Sequence, residues 1–152
     1  MKRLILFCQV IFLLSPLTAF AGGLEDFLAR INVQARADLP GFSAKVSAQF
    51  GVPEARVQAV IQTVSEPADA FMVFQLGQMA NTKPERVLAV YKPNKKKGWG
   101  VIAKQLGIKP GSAEFHSLKS GNLSFTGRPA GSDDSPGKGK GHGKGHGKGH
   151  NK

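Results

Sequence analysis

The sequence predicts an all-α domain, a small bundle of five to seven short helices with helix-turn-helix-like hairpins, followed by a disordered C-terminal tail. Three observations predict it. Apolar residues recur at helical spacing from residue 24 to about residue 120. Proline, glycine or asparagine punctuates those stripes where helices start and stop. No clean period-two run of useful length accompanies the β-branched residues, so nothing calls for a sheet.

The first helix is read in "LEDFLARINVQARADL", where Leu24, Phe27, Leu28 and Ile31 share a stripe. Glu25 and Asp26 sit in its first turn, where the helix dipole favours acids. Pro40-Gly41 is expected to end it. "FSAKVSAQFG" reads as a second short helix capped by Ser43, with Gly51 after its last turn. "VPEARVQAVIQTV" restarts at Pro53 and buries Val57, Val60, Ile61 and Val64. Glu66-Pro67 opens "EPADAFMVFQLGQMA", whose Ala70, Phe71, Val73, Phe74, Leu76 and Met79 are nearly continuous. That helix is therefore the central one, and Asn81 stops it.

"KPERVLAVYK" begins the next helix with another early proline. Trp99, Val101, Ile102 and Leu106 then share a face, Gly107 stops that helix, and Ser112 caps a last one holding Phe115 and Leu118. "VSAQFGVP" at Val46 to Pro53 echoes "IAKQLGIK" at Ile102 to Lys109, as two copies of one hairpin would. Capping physics alone also produces such an echo. After Gly121, "NLSFTGRP" reads as an extended or turn segment lying against the domain.

The ends of the chain carry different signals. Met1-Lys2-Arg3 followed by "LILFCQVIFLLSPLTAF" and "AFA" at Ala19 to Ala21 reads as a signal peptide, residues 1–21, cut after Ala21. Leu4 to Ala21 is about long enough for a membrane anchor. Pro16 and the absence of a basic flank favour cleavage instead. Only four residues separate Arg3 from Cys8, too few for a lipoprotein signal, so Cys8 leaves with the leader. The remaining chain has no cysteine, which rules out disulfides and cysteine-built zinc or haem sites. The expected location is the periplasm or the exterior, with the helical domain over 22–127 and the tail over 128–152.

The chain holds 21 Lys or Arg against 10 Asp or Glu, a net charge of +11 of which Lys2 and Arg3 leave with the leader. Such a charge attracts anionic surfaces without choosing among them. Lys92, Lys95, Lys96 and Lys97 form a patch on the domain, and Lys138, Lys140, Lys144, Lys148 and Lys152 extend it into the tail. The partners this predicts are an anionic envelope polymer, a lipid surface or an acidic protein. In the tail, His142, His146 and His150 recur at intervals of four. Flexible imidazoles of that kind can converge on labile zinc, nickel or copper, although glycine at alternate positions prevents a helix and the lysines repel the cation. Metal binding is the alternative function, and no resident cofactor is expected.

The segment "GWGVIAKQLGIKPGSAEFHSLK", Gly98 to Lys119, resembles small exported bacterial helical proteins of unknown function, and "TKPERVLAVYK", Thr82 to Lys92, resembles the helix that precedes it in them. The resemblance implies helical hairpins and a bacterial cell-envelope setting. It implies no catalytic or ligand residue.

Nucleic acid is not the expected partner. The second helices of the two echoed hairpins offer Arg56, Gln58 and Gln62, or His116, Ser117 and Lys119, with Glu54 and Glu114 facing where phosphate would lie. Enzymatic chemistry has no visible machinery either. There is no HExxH, GxSxG, phosphate loop or EF-hand spacing, and Glu66, Asp69 and Glu85 are scattered acids. Trp99 between two glycines reads as a core anchor or as a ring stacking on a ligand. His116 reads as half-buried or as a base. "GIKPGS" offers helix-start N–H groups that an anion could use.

Overall fold

Among the described residues, seven α-helices and one 3-10 turn follow one another: α1 (Gly22–Ala37), α2 (Leu39–Phe50), α3 (Glu54–Ile61), α4 (Pro67–Met79), α5 (Pro84–Asn94), the turn Lys95–Lys97, α6 (Trp99–Gln105) and α7 (Ala113–Ser120). The computed structural model describes residues 22–129, all helix, turn or coil with no strand among them. The expected leader and the tail from residue 130 lie outside the described residues. The domain is all-α, as its apolar spacing predicts.

The core is built round α4. Ala68, Ala70, Phe71, Met72, Val73, Phe74, Leu76 and Gly77 are all buried, so the helix is enclosed on nearly every side. A helix apolar all round must be buried, and α1, α2, α3 and α5 supply the enclosure. Phe71 is the pivot: its ring lies 5.5 Å from Phe27 of α1, 5.6 Å from Phe50 of α2 and 5.5 Å from Phe125 beyond α7. The start of α4 has unpaired N–H groups that must find acceptors. Asn32 on α1 accepts from Ala68 at 2.8 Å, and Asp69 accepts from Glu66 at 3.2 Å.

Four of the seven described helices end by one recipe. Gly51, Asn81, Gly107 and Gly121 all have positive φ. After each, the next N–H reaches five residues back: Val52 to Ser47, Thr82 to Gly77, Ile108 to Ala103 and Asn122 to Ser117, at 2.8–3.1 Å. This is the Schellman closure. It joins α2 to α3, α4 to α5 and α6 to α7 as three successive hairpins. The two echoed segments share more than the turn. Gln49 binds Ser124, Thr126 and Gly127, while Gln105 binds Asn94, so the equivalent glutamines each hold a neighbouring segment. Gln49 and Phe125 thereby fasten the "NLSFTGRP" stretch to the domain.

The structure corrects the first helix boundary. Pro40-Gly41 does not end α1; it lies in the first turn of α2. Asp38 breaks the two helices apart, and its side chain caps α2 by accepting from Gly41 N at 2.8 Å. Proline is tolerated there because a first-turn N–H has no helical partner to lose. Ser43 is consequently no cap but a buried residue inside α2. Val64 falls after α3 and is half-buried in the turn before α4. His116 is exposed, not half-buried, because α7 turns Leu118 inward and leaves His116 on its outer side.

α1 and α7 close the bundle by backbone contact. A Cβ placed on Gly23 would sit 2.3 Å from the Ser120 carbonyl, and one on Gly121 would sit 2.0 Å from the Gly23 carbonyl. Only glycine fits either position. Gly121→Ala should therefore cost about 2–4 kcal/mol, against about 1–2 kcal/mol for Gly107→Ala, where positive φ is the sole penalty. A Cβ at Gly107 meets nothing within 4 Å. Urea unfolding of both variants measures the difference, and equal losses would contradict the α1–α7 contact.

Candidate functional site

The basic patch is displayed by a turn that is pinned at both ends. α5 ends at Asn94, with Pro93 in its last turn. Asn94 is buried and donates through Nδ2 to Val90 O and to Gln105 Oε1, both at 2.9 Å. One side chain thus closes α5 and ties it to α6. On the other side, Gly98 adopts φ 82°, ψ 160°, which a side chain disfavours, and this reversal feeds Trp99 into the core.

Trp99 is only 8% exposed and stacks on Tyr91, with centroids 5.2 Å apart and planes at 23°. It is a core anchor, the first of the two readings its sequence setting allowed. Tyr91 continues the brace: its hydroxyl donates to Asp69 Oδ2 at 2.7 Å and accepts from Ser65 N at 3.1 Å. Burial raises the Tyr91 hydroxyl above its usual pKa of 10.0; the Ser65 hydrogen bonds oppose this, and the Asp69 carboxylate reinforces it.

Lys95, Lys96 and Lys97 occupy the 3-10 turn between these anchors, and Lys92 lies on the last turn of α5. All four are exposed. The ion pairs among the described residues are Arg36–Glu66, at 2.7 Å, and Arg56–Glu85. None of the four lysines is in one, and the nearest polar partner of the set is Ser65, whose hydroxyl is 3.4 Å from Lys95 Nζ. One further lysine near α6 was not legible in the sequence. The Lys119 side chain of α7 passes 3.8 Å from where a Gly100 Cβ would lie, which brings it beside the start of α6. Only the α6–α7 hairpin geometry makes that neighbour visible. Between Lys92 and Gly127 the one acidic residue is Glu114, and there is no arginine.

Lys138, Lys140, Lys144, Lys148, Lys152 and the histidines His142, His146 and His150 lie outside the described residues. Among the described residues no cluster of His, Cys, Asp or Glu has the make-up of a metal site. The start of α7 is already occupied: Ser112 accepts from Phe115 N at 3.2 Å. The Glu114 carboxylate is held below its usual range by its own backbone N–H and by the Ser112 hydroxyl. The three scattered acids are also engaged, Glu66 by Arg36, Glu85 by Arg56 and Asp69 by Tyr91. No described helix is long and apolar enough to cross a membrane.

Trp99→Ala should cost about 3–5 kcal/mol by opening a cavity beneath the lysine turn. Tyr91→Phe should cost about 1–3 kcal/mol by leaving Asp69 and Ser65 without the hydroxyl. A pH series checks the second assignment. The folded protein holds the phenolic proton more tightly than the unfolded chain. That stabilisation is complete below about pH 10 and is lost as pH rises through the folded value. Wild type should lose stability above that pH more steeply than Tyr91→Phe; parallel curves would contradict the assignment.

Compared with family models, curated proteins and solved structures, the chain matches none. The resemblance carried by Thr82–Lys92 and Gly98–Lys119 therefore assigns no family.

Proposed function

We propose that this chain is an exported, non-enzymatic binding protein that holds an anionic polymer of the cell envelope on the lysine corner of its helical domain. The observation that carries the reading is the set Lys92, Lys95, Lys96 and Lys97, exposed and free of carboxylate partners among the described residues. Leaving like charges together unpaired opposes folding, so an anionic partner is what stabilises the arrangement. Lysine without arginine also suits a partner of irregular geometry. An ammonium is a mobile point charge, whereas arginine imposes a planar fork.

A polymer fits better than a lipid surface. Peripheral membrane binding combines basic residues with apolar side chains that enter the interface. Among the described residues the large exposed apolar ones are Val33 and Leu39, on α1 and α2, and Trp99 is turned inward. Export rests on the leader at residues 1–21, and the tail lysines would lengthen the same electrostatic surface.

Dextran sulfate serves as a test polymer for the full-length protein without its leader. Binding should weaken steeply with salt. Changing Lys95, Lys96 and Lys97 together to Gln should lower affinity about tenfold at low salt, at roughly 0.5 kcal/mol for each exposed charge. Phosphatidylglycerol vesicles should bind less well. Salt-insensitive binding, or an unchanged affinity in the triple variant, would remove the reading.

The regular spacing of His142, His146 and His150 supports a second reading, labile capture of zinc, nickel or copper by the tail. Calorimetry of a synthetic peptide over residues 129–152 separates the two. Metal affinity should rise from about pH 5.5 to 7.5, because ligation competes with protonation of imidazole. Polyanion affinity should fall over the same range. A peptide with the three histidines changed to Asn that binds metal equally well would eliminate the metal reading.

A further inference from the structure

A second surface of the domain carries different chemistry. A cleft of about 830 Å³ lies between the α2–α3 turn and the α4–α5 turn. Small-molecule sites fall at about 300–1,000 Å³, and two other hollows measure about 260 and 250 Å³. Its apolar wall is made by Phe50, Val52 and Phe74. Phe50 and Phe74 stack with centroids 5.8 Å apart and planes at 26°. Phe50 and Val52 are only half-buried, so the core is left partly open at this point. Gly77 lies beside them. A Cβ there would come within 3.1 Å of the Thr82 carbonyl, so glycine keeps the turn close and leaves the wall uncovered.

The mouth of the cleft is cationic. Lys83 is the N-cap residue of α5 and Arg86 lies in its first turn. Both are exposed and in no ion pair among the described residues, although, after the Arg56 hydrogen bond, the Lys83 charge helps hold the Glu85 carboxyl below its usual range. Glu85, between them, is taken by Arg56 of α3. Cations at the start of a helix oppose its dipole, so the stability of α5 does not account for them. An apolar wall beside two cations and one carboxylate already paired with Arg56 selects an occupant with an apolar body and one anionic group.

We propose that this cleft binds a small amphipathic organic acid. Its aliphatic or aromatic body lies against Phe50, Val52 and Phe74, and its acid group meets Lys83 and Arg86. The site is independent of the polymer surface: it stands at the opposite end of α5 from Lys92 and requires apolar contact, which the lysine turn lacks.

The probe is 8-anilinonaphthalene-1-sulfonate, an aromatic anion whose fluorescence rises in apolar surroundings, added to the folded protein without its leader. Its binding should saturate, and decanoate should displace it. Acetate and 1-decanol, each with half of the required chemistry, should compete at least about tenfold less well, a difference of about 1.4 kcal/mol. Changing Lys83 and Arg86 together to Gln should weaken decanoate about fivefold or more, a change of about 1 kcal/mol. Gln78→Trp, at an exposed position on the rim, should block the cleft without entering the core. Circular dichroism and thermal unfolding establish that both variants fold, and both should still bind dextran sulfate as wild type does. Three results overturn the proposal: no saturable probe binding, 1-decanol competing as well as decanoate, or decanoate affinity unchanged in either folded variant. Displacement by the peptide acetyl-Asp-Phe-Asp-amide but not by decanoate would also overturn it, making the cleft a docking groove for an acidic protein segment.

Discussion

The domain depends on the enclosure of Phe71. Its ring is fully buried and touches aromatic rings from α1, α2 and the segment beyond α7, which are distant in sequence. Aromatic pairs in tilted or edge geometry add attraction beyond the area they bury. Because these three partners meet on one side chain of α4, the helices around it cannot shift independently. Asn32 and Tyr91 reinforce the arrangement with polar bonds to the first turns of α4, from α1 and α5 respectively. Among the described residues no buried side-chain nitrogen or oxygen lacks a hydrogen-bond partner, as a low-dielectric interior requires.

Rigidity at the core explains how short, locally weak elements display charge. The 3-10 turn of Lys95–Lys97 has no buried residue of its own. It is held by what flanks it, Asn94 bonded to Gln105 and Trp99 stacked on Tyr91. Like charges so confined gain from an anionic neighbour, whereas an unfolded lysine run would simply spread apart. The same helix serves the other surface. α5 spans Pro84–Asn94, about 16 Å at 1.5 Å per residue, and separates the amphipathic cleft at its start from the lysine turn at its end. The two surfaces therefore combine different chemistries on one support without sharing a residue.

Repetition of a helix–turn–helix unit gives the bundle its organisation. The closures after Gly51, Asn81, Gly107 and Gly121 use the same five-residue return. Asn81 shows that the turn is not restricted to glycine, since asparagine tolerates the left-handed region through its short polar side chain. Gly121 differs from the others, because its lack of a side chain also permits the backbone of α1 to approach.

What the sequence by itself determined follows from local physics. The all-α class, the central position of α4, the stops at Gly51, Asn81 and Gly107 and the Ser112 cap all depend on spacing or on residues within one turn. Where two local signals competed, the outcome needed the structure. Pro40-Gly41 stops a preceding helix and starts a following one equally well, and the Asp38 side chain decided for the start. The same limit applied to Trp99, which Tyr91 of α5 covers, and to His116, which α7 leaves on its outer side. The lysine turn was legible as a charge run, but Lys119 against Gly100 of α6 was not, because residues about twenty positions apart become neighbours only when α6 packs on α7. The cleft was less legible still. An apolar residue at a helix end reads as core, and only the packing of two hairpins decided that Phe50 and Val52 stay half-open in front of buried Phe74, beside Lys83 and Arg86. Periodicity records which side of a helix is apolar; tertiary packing decides what covers it.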